Sequence, residues 1–205
     1  PSAHCGLEAS RGSAGIAQSG RFWQSKSSPS ATPSQSLSWL SLQAAALRES
    51  AARYAQAESI VRATGADDLF YPIMNALAVE LRLAGLTGQP YKPDAQRIAE
   101  ARRSLQAKVQ AAPDFWSAVG LPELRMLEAL ADRQLAAARD EIVRATADLA
   151  LRAPAKWMWS SVYEQAQFLL APYVADTAEG RAAAALIAHL KSLAAAQPRR
   201  RSIAA

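Results

Sequence analysis

The sequence predicts an all-α fold: a right-handed stack of antiparallel helix pairs, six to seven helices in all. Alanine makes up 48 of the 205 residues against only 9 glycines, and alanine suits helices because it loses no side-chain entropy there. Apolar residues recur every three or four positions over long uninterrupted stretches. Short Gly/Pro-bearing links separate those stretches, so consecutive helices must fold back on one another.

Residues 1–36 are rich in Ser, Gly and Ala, with Phe22 and Trp23 their only large aromatics. They read as a disordered leader, because so little apolar surface cannot offset the entropy lost on ordering. Arg21 and Lys26 around Phe22-Trp23 could also mark a short docking motif. Residues 37–196 read as the helical-repeat body and residues 197–205 as a basic disordered tail.

Within the body, Leu37 to Thr64 contains no Gly or Pro. Leu40, Leu47, Tyr54 and Val61 repeat every seven residues, with Ala44, Ala51 and Ala55 on the same stripe, which predicts one long amphipathic helix. Gly65 stands where a C-terminal cap is expected. Asp67-Asp68 precede a second helix over 71–84, nearly all apolar, with Pro72 at a first-turn position that needs no N–H. Asn75 within it is expected to bond a neighbouring helix or connecting backbone. Gly85 to Pro93 reads as a connection, and Asp94 as the cap of a third helix ending near Ala111, with Ile98, Ala101, Leu105 and Val109 inward.

Pro113-Asp114 opens the next unit. Phe115 and Trp116 lead into a fourth helix from about Leu121, and Gly120-Leu-Pro122 is expected to break the chain near its start. Asp132 to Leu151 predicts a fifth helix facing inward through Leu135, Ala138, Ile142, Ala145 and Leu149. The sixth covers about Ala155 to Leu170, with Trp157, Val162, Ala166 and Leu169 inward. The seventh runs from Thr177 to Ala196 and buries Ala183, Leu186, Ile187, Leu190 and Leu193.

Charge narrows the function. The net +5 resides in the two ends: Arg11, Arg21 and Lys26 less Glu8 give +2, and Arg199 to Arg201 give +3. The remaining 17 basic and 17 acidic residues leave the body neutral, which argues against a specific nucleic-acid surface. Arg97, Arg102, Arg103 and Lys108 could form an anion patch, but a solvated basic face is preferred. No run of 18 apolar residues occurs, so no membrane span is expected. The start lacks an initiator Met and an apolar h-region, which reads as a fragment or processed chain of cytoplasmic residence.

Catalytic chemistry is not expected. Cys5 is the single cysteine, and His4 and His189 are the two histidines, too few for a zinc site or a disulfide. No phosphate-binding glycine loop occurs. Asp67-Asp68 and Asp140-Glu141 are adjacent pairs whose side chains diverge by about 100° on a helix. Glu128 and Asp132 lack a second pair that would complete a two-metal site. No cofactor or metal is therefore expected. The aromatic cluster Trp157, Trp159 and Tyr163 reads first as core packing; Trp116, Trp159 and Tyr163 are the candidate partner-binding residues. A second reading places a small-molecule or enzymatic site in the groove between helix pairs, where Arg125, Glu128 and His189 would have to converge.

Two stretches resemble a known region. Tyr54-Ala-Gln-Ala57, followed by Asp67-Asp-Leu-Phe-Tyr-Pro-Ile-Met-Asn-Ala-Leu-Ala78, is similar to the tetratricopeptide-like helical region of bacterial multidomain proteins, itself similar to the TRAF-binding region of MAP kinase kinase kinases. Asp114 to Gly120 and Trp157 to Tyr163 resemble later parts of it, so the likeness covers residues 37 to 173. Tyr71, Pro72 and Asn75 are its structural residues. The resemblance implies a TPR-like α-solenoid, a non-catalytic interaction or regulatory module that binds a protein partner and accompanies an effector or signalling domain.

Overall fold

A computed structural model describes residues 33–152 and 155–196; the predicted tail and residues 1–32 of the predicted leader lie outside them. Among the described residues the regular structure is all helical, without a strand: α1 Pro33–Thr64, α2 Phe70–Thr87, α3 Ala95–Ala111, α4 Phe115–Ala131, α5 Leu135–Ala150, α6 Lys156–Leu170, a 3-10 turn over Ala171–Tyr173, and α7 Ala178–Ala195. The helical body is a unit that begins at Ser38. No helix among the described residues is long and apolar enough to cross a membrane.

Consecutive helices pair as three hairpins, α2 with α3, α4 with α5 and α6 with α7. α3 also packs on α4 and α5 on α7, while α2 reaches both α4 and α6. Their shared core is aliphatic: Ile73, Leu77, Leu105, Leu124, Leu135, Leu169, Leu170 and Leu186 are fully buried. Such burial is worth about 2 kcal/mol per large side chain. Between α2 and α6 the Arg82 guanidinium lies 5.3 Å from the Phe168 ring centroid.

Two glycines read as breaks are contacts instead. The connection expected from Gly85 starts later, because α2 continues to Thr87 and ends at Gly88, whose φ of 66° is a left-handed cap that a Cβ would disfavour. A Cβ on Gly85 would sit 2.8 Å from the Tyr173 ring, and the Tyr173 hydroxyl donates to the Leu81 carbonyl at 2.5 Å. Gly120 likewise admits Leu105 of α3: a Cβ there would lie 2.6 Å from a Leu105 methyl. Gly120-Leu-Pro122 therefore sits inside a continuous α4 with Pro122 buried, and Phe115 and Trp116 belong to its first turn rather than to a lead-in.

Helix ends are satisfied across the fold. The Ser104 hydroxyl of α3 donates to the Asp67 carbonyl at 2.9 Å and accepts from the Phe70 N–H at 3.2 Å, which anchors the turn into α2. α5 has no cap of its own at Gln134. Its first amides, Leu135 and Ala136, donate to the Glu179 carboxylate of α7 at 2.7 and 3.3 Å, placing an anion on the helix N-terminus. Glu179→Ala is expected to lower stability by about 1.5 kcal/mol, measured by urea denaturation, with Glu179→Gln recovering part of the loss.

α1 packs differently. Its inward stripe of Ala44, Leu47, Ala51, Tyr54, Glu58 and Val61 matches the predicted heptad, but only Ala44 and Glu58 are buried and Leu40 is exposed. Ion pairs complete the docking. Glu58 accepts from Arg62 of its own helix at 2.7 Å and from Arg97 of α3 at 2.9 Å. Arg62 also bonds Glu100, and Arg97 reaches Glu80 of α2 at 3.4 Å.

Candidate partner-binding site

The first turns of α4 and α6 each present a tryptophan at the second helical position. α4 is fixed there by a capping box: Asp114 Oδ1 accepts from the Ser117 N–H at 2.7 Å, and Ser117 Oγ accepts from the Asp114 N–H at 3.2 Å. That box orients Phe115 inward and Trp116 outward. The Phe115 ring meets Trp116 edge-on at 5.0 Å and Trp159 edge-on at 5.2 Å, within the range where such pairs add about 1 kcal/mol each. Trp116 in turn touches Trp157 at 5.9 Å with a 54° tilt.

The result is a two-layer aromatic ledge. Trp116 is 42% exposed and Trp157 61%, whereas Trp159 beneath them is 2% exposed. Trp157, expected inward, thus faces solvent, and Trp159, a candidate contact residue, lies in the core. The cause is helical phase: Trp157 and Val162 are five residues apart, about 140° around the helix, so one buried face cannot hold both. The face that packs is Trp159, Val162, Ala166 and Leu169. Tyr163 is half-buried against the core. Phe115, unassigned in the sequence reading, is the ring that joins the two layers.

The other sequence candidates are spread over separate contacts. Tyr71 is exposed and Pro72 buried in the first turn of α2. Asn75 donates to the Tyr71 carbonyl of its own helix at 2.8 Å, so the expected bond to a neighbouring element is replaced by a bond one turn back. Arg125 pairs with Glu141 of α5 at 3.0 Å, Glu128 with Arg102 of α3, and His189 with the Thr146 hydroxyl at 2.9 Å. Those three do not converge. Burial lowers the His189 pKa, and the same Thr146 hydroxyl also reaches the Ile142 carbonyl one turn back at 2.8 Å. Three of the four basic residues on α3 clamp it to other segments, Arg97 and Arg102 as above and Lys108 to Asp68 at 3.3 Å, while Arg103 is exposed. Among the described residues no group of three His, Cys, Asp or Glu side chains could hold a metal. The chain matches no protein-family profile, no characterised protein and no solved structure.

One charge stands apart. Glu123 is partly buried in α4 between Val119, Gly120, Met126 and Leu127 of the adjoining turns, and burial pushes its pKa up to about 7. A carboxyl whose folded pKa exceeds its unfolded value stabilises fully below about pH 4.5 and loses that contribution as pH rises through 7. Glu123→Gln is therefore expected to flatten the stability profile between pH 5 and 8. At pH 8 it should raise stability by on the order of 1 to 2 kcal/mol, read from thermal melts at both pH values.

Proposed function

We propose that this chain is a non-catalytic interaction or regulatory module, a TPR-like stack of helix pairs from a larger cytoplasmic signalling protein, that grips an apolar segment of a protein partner on the Trp116–Trp157 ledge. The observation that carries the reading is the pairing of two exposed tryptophans over a buried aromatic layer. Exposed indoles held rigid in this way lose little entropy on binding and bury much area, which is why tryptophan dominates interface hot spots. The three hairpins supply the rigid scaffold, and the resemblance of Tyr54–Ala78 to a tetratricopeptide-like region agrees with an interaction role.

The small-molecule alternative has a weaker basis. A hollow of about 480 Å³ between α1, α2 and the following loop is bordered by Arg48, Glu80 and Tyr91, but Tyr91 donates to Glu80 and Arg97 pairs with it. Its Glu80 and Tyr91 are engaged with one another rather than turned toward a ligand.

A photo-crosslinking residue at position 157 tests the proposal. It is expected to trap a discrete protein in native lysate, and the same residue at position 103 of α3 is expected not to. Equal trapping at both positions would contradict the ledge as the binding surface.

A further inference from the structure

The outward face of α1 has a pattern that solvent exposure does not require. Trp39, Leu42, Ala46, Glu49, Arg53, Gln56, Ile60 and Ala63 recur at steps of three and four, all exposed, opposite the stripe that docks on the body. A helix face turned only to water is ordinarily polar. Here Trp39, Leu42 and Ile60 are each more than half exposed, and the only charges on the stripe are Glu49 and Arg53, paired along the helix at 2.6 Å.

We propose that this stripe binds a second copy of the chain, its α1 antiparallel to the first about a two-fold axis midway between Glu49 and Arg53. The charge order decides the occupant and its direction. That axis sets Glu49 against Arg53 of the second copy and Arg53 against its Glu49, while Leu42 meets Ile60 of the second copy at both ends. Trp39 falls opposite the small Ala63. A parallel pairing in register would stack Glu49 on Glu49 and Arg53 on Arg53, which like-charge repulsion disfavours. The stripe is thus complementary to itself in one orientation, the property a two-fold interface demands. Ala46 on the stripe and Ala45 and Ala52 beside it are small and exposed and let the two helices approach closely. From Trp39 to Ala63 the helix runs about 36 Å, a seam at the small end of specific interfaces, so the dimer is expected to dissociate in the micromolar range.

Sedimentation equilibrium of the full chain between about 1 and 100 μM tests this. The expected result is a monomer–dimer equilibrium that Leu42→Asp abolishes. Glu49→Arg and Arg53→Glu should each weaken it tenfold or more, and an equimolar mixture of those two variants should restore it as a heterodimer. The double variant Glu49→Arg/Arg53→Glu should restore the homodimer. All three positions are exposed, and circular dichroism establishes that each variant is folded. A chain monomeric at 100 μM would overturn the proposal. So would a dimer indifferent to the charge changes, or variants that fail to recover on mixing.

Discussion

Replacing Gly180 with alanine is expected to destabilise the fold by about 3 kcal/mol and to lower the melting temperature by roughly 10 °C. The ordinary result of such a change inside a helix is a gain, since alanine is the better helix former. Here the chain crosses itself. A Cβ on Gly180 would press on the nitrogen and carbonyl oxygen of Ala175 and come within 2.9 Å of its carbonyl carbon; these are backbone atoms that no rotamer change can move aside. The crossing is held from both sides, because Thr177 Oγ1 accepts from the Gly180 N–H at 3.0 Å and Glu179 beside it caps α5. Shifting Ala175 would disturb both. Calorimetry of Gly180→Ala checks this, with Gly180→Ser expected to lose a similar amount.

Glu58→Ala is expected to release α1 while leaving the rest folded. Two arginines converge on this one buried carboxylate, and removing it strands Arg97 with Glu80 and Arg62 with Glu100. Losing one member of such a group costs more than the pairing itself contributes, since the remaining charges stay partly desolvated. The apolar part of the α1 docking is thin, with Leu47, Tyr54 and Val61 only half-buried. A loss of about 2 kcal/mol is therefore read locally: amide exchange in residues 44–64 should accelerate about thirtyfold, with 73–81 and 182–190 unchanged. Uniform acceleration across all helices would mean that α1 unfolds only with the whole.

Helix existence and order were legible because each stripe is a local pattern. Leu47, Tyr54 and Val61 turn inward as their heptad spacing requires, and Asp94 and Thr177 cap α3 and α7 by bonding Gln96 and Gly180. What misled was any residue whose role is set by a distant neighbour. Gly85 and Gly120 look like punctuation, yet each makes room for one side chain, Tyr173 or Leu105, far along the chain. In α6 three aromatics within seven residues permit more than one phase, and Phe115 beneath the ledge decides it by filling the space beside Trp159. Arg97, Arg102 and Lys108 looked solvated because their partners Glu58, Glu80, Glu128 and Asp68 lie on four other segments. Glu123 did carry a local signal, a lone carboxylate flanked one turn away on each side by apolar residues and glycine.

The most direct measurement of the partner-binding account is the affinity of the crosslinked protein for the full chain and for its Trp116→Ala/Trp157→Ala variant, with Arg103→Ala as an exposed position elsewhere. Both tryptophans of the ledge stand above the Phe115–Trp159 contact, so their truncation leaves the buried layer in place. The account predicts that the double variant binds at least about a hundredfold more weakly, the loss of two hot-spot aromatics, while Arg103→Ala binds as the wild type does. Unchanged affinity in the double variant would contradict it.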